Sequence, residues 1–238
     1  MSIIKKYKSK VEKITNPIPG IYTISFSSDK KFIYNPGQFL HLSLDEYDGA
    51  GQWPESRCFS MQSSPNEETL KITFAVKGNF TKRMSQELHG GKVLWLKMPY
   101  GDIFQRNHDK NNCVFIAGGT GVTPFLSLFT HESFKEYINP RIYFGFRTKE
   151  YNIYNDELNV MQKISEIHTN SYHSQETKFV EFAYEDTDGL IDINKIFSKC
   201  GVHSTYFISG PPVMIKSFKK FLLDKAVLEN NIITDDWE

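Results

Sequence analysis

Cysteine is scarce in this chain of 238 residues. Cys58, Cys113 and Cys200 stand far apart, are odd in number, and form no Cys-x-x-Cys. An iron–sulfur cluster or a structural zinc site is therefore not encoded locally. The seven histidines include no His-Glu-x-x-His; His168 and His173, in a polar stretch, read as surface residues, and no metal site is expected. A surplus of charge is also lacking: Lys+Arg and Asp+Glu both number 28, giving zero formal charge. Nucleic-acid binders usually carry a basic surplus, so no nucleic-acid partner is expected. Long apolar runs are missing too. No segment approaches the roughly 20 apolar residues of a membrane span, and Met1-Ser-Ile-Ile-Lys-Lys-Tyr7 has no apolar core of signal-peptide length. The reading is of a soluble, cytoplasmic protein without internal repeats or low-complexity tracts.

What is present is apolar and aromatic. Hydrophobic residues make up 39% and aromatics 14%, with 19 Phe and 12 Tyr. A packed core is expected, and disorder is not. The length suits one large domain or two ordinary ones. The first hundred residues read as β, with candidate strands at Ile4–Ile14, Ile21–Ser27, Gln38–Leu44, Arg57–Ser63, Leu70–Val76 and Val93–Met98. Turn signals separate them at Asn16-Pro-Ile-Pro-Gly20, Asn35-Pro-Gly37, Ser64-Pro-Asn66 and Gly90-Gly91. Six short strands at this spacing predict a small antiparallel barrel, interrupted by one helix at Phe80–Leu88.

After Gly101 the rhythm changes. Strands at Val114–Ala117, Ile142–Phe146, Phe179–Tyr184 and Tyr206–Ser209 alternate with helices near 123–130, 155–166, 192–199 and 212–226. In the last helix Met214, Phe218, Phe221 and Leu222 share a face. Alternating β and α at this spacing means a parallel sheet covered on both faces. Arg106-Asn-His-Asp-Lys-Asn-Asn112 is a polar link near the change. The second half opens on Cys113-Val-Phe-Ile-Ala-Gly-Gly-Thr-Gly-Val-Thr-Pro124: an apolar strand, three glycines, then a helix from Val122 with Pro124 in its first turn, where a missing N–H is harmless. Bare N–H groups at a helix start can hold a phosphate, and glycine lets it approach. Pro124 stands where G-x-G-x-x-G has its third glycine. Spacing alone leaves a phosphate site and a plain tight βα turn equally open.

Four motifs make the chain similar to the ferredoxin–NADP reductase family, in order and over essentially its whole length. Arg57-Cys-Phe-Ser60 resembles the family's Arg-x-Tyr-Ser flavin motif, and Ala75-Val76-Lys77-Gly78-Asn-Phe80-Thr81 its flavin-phosphate segment. Gly118-Gly119-Thr120-Gly121-Val122-Thr123-Pro124 resembles the pyridine-nucleotide turn, and Ser209-Gly210-Pro211-Pro-Val-Met214 the Cys-Gly-Pro-Pro motif. Pro99-Tyr-Gly101 and Phe146-Arg147-Thr148 also fit. The resemblance implies a flavin-binding barrel domain at 1–104 and an NAD(P)-binding α/β domain at 105–238. It assigns FAD to Arg57, Cys58, Phe59, Ser60, Ala75, Val76, Lys77, Gly78, Phe80 and Thr81, and the nucleotide to Gly118, Gly119, Thr120, Gly121, Val122, Thr123, Arg147, Gly210 and Pro211.

Within that frame Arg57 offers a fork of donors for a pyrophosphate oxygen, Ser60 lies near the flavin's redox-active nitrogen, and Phe59 stacks on the flavin without the hydroxyl of the family's Tyr. Thr81 opens a helix whose first N–H groups can hold the pyrophosphate, or it is an ordinary cap. Ser60, Thr123 and Ser209 are the candidate catalytic positions; Thr123 would sit between flavin and nicotinamide, and Ser209 stands where the family often has Cys. Arg147 favours a 2′-phosphate while Glu185 opposes it, so NADH or NADPH stays open, leaning to NADH. Trp237 covers the flavin or packs on the barrel. Lys216, Lys219, Lys220 and Lys225 form a basic face that either docks an acidic electron carrier or is solvated. The leading expectation is an FAD-dependent NAD(P)H oxidoreductase passing electrons to a separate one-electron acceptor protein such as ferredoxin, flavodoxin or an oxygenase component. The alternatives are an NAD(P)H:flavin reductase using free flavin, or a non-catalytic flavin-binding relay subunit.

Overall fold

A computed structural model of the chain describes residues 3–166 and 180–235. Two compact units emerge, one of Met1–Asp102 with Thr123–His131 and one of Ile103–Val122 with Glu132–Glu238. The expected antiparallel barrel followed by a parallel α/β sheet is what the chain forms.

The first unit contains β1 (Lys5–Ile18), β2 (Ile21–Ser28), β3 (Phe39–Ser43), β4 (Arg57–Ser60), β5 (Leu70–Ala75), helix α1 (Asn79–Glu87) and β6 (Val93–Tyr100). Its six strands run β4-β3-β6-β1-β2-β5, every neighbour antiparallel. The outer strands approach each other: Gln62 N–H donates to Lys71 O at 2.8 Å, and Lys71 N–H to Ser63 Oγ at 2.9 Å. Alternate residues turn inward, so Val11, Ile24, Phe26, Leu40, Leu42, Ile72 and Leu96 form a core that water does not reach. Phe80 and Met84 of α1 join that core. Two boundaries differ from the sequence expectation by more than two residues. β1 runs to Ile18, through Pro17, because the pairing with β2 is irregular between Thr15 and Ile18 and needs no ladder N–H there. β4 ends at Ser60 rather than Ser63.

In the second unit β7 (Cys113–Gly118), β8 (Arg141–Phe146), β9 (Val180–Tyr184), β10 (Thr205–Ser209) and β11 (Ile232–Thr234) form one parallel sheet, ordered β11-β10-β7-β8-β9. The expected strand start at Phe179 lies outside the described residues. β11 is a strand the periodicity did not announce: three residues are too few for a pattern. Helices α3 (Asn155–Glu166), α4 (Ile193–Cys200) and α5 (Pro212–Asp224) connect the strands. Asp192 caps α4 by accepting from Asn194 N–H and Lys195 N–H. On one face Val114, Ile116, Tyr206 and Ile208 pack with Ile193, Ile196, Ile215, Phe218 and Leu222. On the other, Phe115 and Phe207 stack at 5.0 Å between centroids, with Tyr137 edge-on to Phe115. Double burial explains why β7 reads as an unbroken apolar run.

Helix α2 (Thr123–Phe129) follows β7 in the chain yet belongs to the first unit, and all seven of its residues are buried. No helix among the described residues is long and apolar enough to cross a membrane.

Candidate functional site

The chain leaves β7 toward β8 and β9 on one side, then returns to β10 on the other. Such a reversal opens a crevice beyond the carboxyl ends of the two central strands, where parallel sheets bind ligands. The turns that follow β7 and β10 meet there. A Cβ on Gly121 would stand 2.5 Å from Gly210 Cα and 2.6 Å from its N; a Cβ on Gly210 would stand 3.0 Å from Gly118 N and 2.8 Å from Met214 Cε. Backbone therefore touches backbone, which only glycine allows. Gly119 differs: it has φ +56°, and nothing lies within 4 Å of its missing Cβ. It keeps the turn open where an anion would approach. The helix does not start at Val122, as the sequence suggested. A 3-10 turn at Gly119–Val122 comes first, and α2 begins at Thr123.

Ser209 is buried, and its hydroxyl donates to Asp235 Oδ2 at 3.0 Å, while Asp235 N–H donates to Ile208 O at 2.9 Å. The residue after β11 thus fixes the side chain that ends β10. The pairing of Asp235 with Ser209 carried no signal in the sequence. Pro211 caps α5, and Pro212 occupies its first turn. Arg147 and Glu185 are both exposed at neighbouring strand ends, where Glu185 N–H donates to Phe146 O and Asp186 N–H to Arg147 O. The two opposed charges therefore stand at the ends of adjacent strands. On α5, Lys216, Lys220 and Lys225 are exposed, and Lys219 lies 3.5 Å from Glu229.

The first unit assembles the other group of residues around β4 and α1. Gly78 opens α1, and the Thr81 hydroxyl accepts from Lys77 N–H at 2.9 Å and Gly78 N–H at 3.1 Å while donating to Gly78 O. Thr81 is a cap in this structure. The N–H groups of Asn79, Phe80 and Thr81 begin the helix with no carbonyl one turn back. The Arg57 guanidinium lies over the Phe80 ring, 5.2 Å from its centroid, beside that first turn. Cation, glycine opening and helix start converge, a combination with the chemistry to attract an anion. Arg57 is also held by the chain itself: it donates to Ser56 O at 2.8 Å and to Glu55 Oε1 at 3.0 Å. Ala75 pairs with Ile21, and Val76 N–H donates to Gly20 O, which positions the segment leading to Gly78.

Ser60 and Phe59 are buried. Phe59 belongs to the barrel core, edge-on to Phe74 at 6.1 Å, and keeps only 9% of its surface. Cys58, on the opposite face of β4, sits 3.5 Å from His41 Nε2. Burial raises its thiol pKa, as it does for Cys200, and pushes Cys113 up to about 12, so the three thiols stay protonated at neutral pH. Among the described residues no three His, Cys, Asp or Glu side chains come together to hold a metal. Trp237, His168 and His173 lie outside the described residues.

Sequence reasoning missed a further set of contacts. Ser127 of α2 donates to Ser63 O at 2.7 Å, and Tyr34 Oη donates to the Ser63 and Ser64 carbonyls at 3.1 and 3.0 Å. The hydroxyls of Ser85, Ser198 and Ser217 bond back within their own helices; that of Ser127 instead ties α2 to the segment after β4. Arg83 binds Asp45 and Glu87, and only the second partner was visible as an i,i+4 spacing.

A family model described as the oxidoreductase NAD-binding domain matches residues 115–220. The phenol hydroxylase P5 protein of Acinetobacter pittii (strain PHEA-2) is 26% identical over 245 residues, covering 98% of this chain and 66% of the relative. The sulfhydrogenase 2 subunit gamma of Pyrococcus furiosus is 26% identical over 223 residues, covering 86% and 72%. The reductase component of propane 2-monooxygenase from Mycolicibacterium smegmatis is 25% identical over 224 residues, covering 87% and 60%. The chain spans 60–72% of the length of these relatives. Among solved structures, a ferredoxin NADP+ reductase from Neisseria gonorrhoeae with bound FAD and NADP matches at TM-score 0.70 and 18% identity, over 94% of this chain and 92% of that one. The ferredoxin reductase in carbazole 1,9a-dioxygenase matches at TM-score 0.71 and 19% identity, over 99% and 70%. The likeness to these structures is one of fold.

Proposed function

The chain belongs to the ferredoxin–NADP reductase superfamily, and from that premise we propose that it is an FAD-dependent NAD(P)H oxidoreductase feeding a separate one-electron acceptor protein. The observation that carries the reading is the close approach of Gly121 to Gly210 where the sheet order reverses, which brings the two strand-end turns together backbone to backbone at the carboxyl end of the sheet. Gly118, Gly119, Thr120, Gly121 and Val122 would take the phosphates. Gly210 and Pro211 would line the nicotinamide, and Arg147 would meet the ribose or its phosphate. Arg57, Gly78 and the first turn of α1, with Phe80 and Thr81, would take the flavin pyrophosphate, with Cys58, Phe59, Ser60, Ala75, Val76 and Lys77 around it.

When bound, the flavin supplies the exchange between a two-electron hydride and single electrons. The chain's own residues orient and shield. Buried Ser60 and Thr123 offer hydroxyls in sites of low water access, and Asp235 holds the Ser209 hydroxyl in one direction. The reductase components among the relatives support an acceptor of oxygenase-component type within that range of ferredoxin, flavodoxin or oxygenase partners. The proposed location is the cytoplasm, where free thiols such as Cys58, Cys113 and Cys200 stay reduced.

A second reading, an NAD(P)H:flavin reductase that releases its flavin, is favoured by the burial of Phe59 in the barrel core and by the Glu55 contact on Arg57. A visible spectrum of the purified protein, followed by anaerobic NADH and then NADPH, separates the readings. Bound FAD that bleaches supports the first. A colourless protein that reduces added flavin supports the second. Bound flavin that neither nucleotide bleaches refutes both and leaves a relay subunit.

A further inference from the structure

The Arg57 fork is not presented bare. Its two terminal nitrogens donate to Ser56 O at 2.8 Å and to Glu55 Oε1 at 3.0 Å. The other oxygen of Glu55 faces Arg83 Nη1 at 3.8 Å, and Arg83 is itself held by Asp45 at 2.8 Å and Glu87 at 2.9 Å. Glu55 thus leans on a cation that two further carboxylates have already fixed, and lays its charge on the one guanidinium aimed beside the start of α1. A carboxylate and a phosphate ask for the same fork geometry. Both cannot have it.

We propose that Glu55 is a built-in competitor for the flavin pyrophosphate, a carboxylate that must leave Arg57 before a diphosphate can take the fork. The inference rests on the flavin reading of Arg57 and deepens it by naming the residue that sets how tightly flavin is kept. Glu55 and Arg57 are each about half exposed, with side-chain exposures of 51% and 54%. Exposed pairs of this kind are worth up to about 1 kcal/mol, which converts to an affinity gain of roughly two- to fivefold once the competitor is gone. The consequence is a flavin that exchanges more readily than the fold requires, and the difference made by Glu55 is largest at low salt, where the pair is strongest.

The test is a fluorescence titration of the whole flavin-stripped chain with FAD and, separately, with riboflavin, which carries no phosphate. Glu55→Gln is expected to bind FAD roughly two- to fivefold tighter and riboflavin unchanged. Asp48→Asn removes a charge from the same loop, where the carboxylate accepts from Ala50 N–H and Gly51 N–H rather than touching Arg57; it should change neither titration. In an Arg57→Ala background the gain from Glu55→Gln should vanish. An unchanged or weakened FAD affinity in Glu55→Gln overturns the proposal, as does an equal gain for riboflavin. If Arg57→Ala binds FAD as well as the parent chain, the flavin assignment of Arg57 itself fails, a result distinct from a failure of Glu55 alone.

Discussion

Replacing Gly121 by alanine puts the nucleotide reading under direct strain. The new Cβ would stand 2.5 Å from Gly210 Cα, 2.6 Å from Gly210 N and 2.8 Å from Ser209 C. Carbon contacts relax at about 3.5–4.0 Å, so the two turns must separate by about 1 Å. None of the three atoms belongs to a flexible side chain, and no rotamer change offers relief. Overpacking of this kind costs about 1–3 kcal/mol in stability. A 1 Å misplacement of a reacting group costs on the order of a hundredfold in rate. Anaerobic stopped-flow reduction by NADH is therefore expected to slow by about that factor in Gly121→Ala. Flavin affinity, which the proposed function assigns to β4 and α1, should hold. Gly91→Ala is the matched control, at a glycine outside the proposed nucleotide turn. It meets no atom within 4 Å, and its φ of +88° adds only left-handed strain of roughly 1–2 kcal/mol. Wild-type reduction rates in Gly121→Ala, or equal damage in Gly91→Ala, would refute the claim that backbone contact between the two turns shapes the nucleotide site.

Three further outcomes follow from charge and hydrogen bonding. Glu185→Arg removes the opposing charge beside Arg147 and adds a phosphate donor; the ratio of kcat/KM for NADPH over NADH should rise roughly tenfold, the worth of one charge-assisted hydrogen bond. Burial first, and Lys97 second, hold the His41 pKa below its ordinary value. The unfolded chain then binds this proton more readily than the folded one. The stability contribution is whole above about pH 6.5 and is lost as the pH falls from there through the folded value. His41→Gln should therefore flatten the decline in melting temperature between about pH 7.5 and pH 5, and a parallel decline in both proteins would refute this. Ser127→Ala removes the 2.7 Å bond to Ser63 O and should destabilise by about 0.5–1.5 kcal/mol in urea, with Tyr34 still satisfying that carbonyl.

The barrel was legible because its residues alternate: Tyr7, Ser9 and Val11 point inward while Lys8 and Lys10 face water, and no helical period competes. The parallel sheet was legible for the opposite reason, since β7 has no polar face at all. Pro17 misled, because a proline reads as a turn unless the pairing it interrupts is known. β11 was hidden by its brevity; its residues become a strand only because β10 offers them an edge.

At the site, the glycines could be found in the sequence but not told apart. Gly119 and Gly121 share one motif, yet the first needs a positive φ and open space, and the second needs the absence of a Cβ against another turn some ninety residues later. The same limit hides every cross-chain charge. Glu55 and Arg57 are neighbours in sequence, and their pairing could have been suspected; that Arg83 braces Glu55 from behind depends on how α1 packs on the barrel. The helix after the glycine turn makes the point most sharply. By order in the chain it belongs with the nucleotide sheet, and its apolar Pro-Phe-Leu-Ser-Leu-Phe run would be buried against either unit. Ser127 decides the matter, because a buried hydroxyl requires a partner and finds it at Ser63, on the segment that continues from β4. Thr123 is thereby placed in the same unit as Ser60, while the glycine turn that immediately precedes Thr123 in the chain belongs to the other.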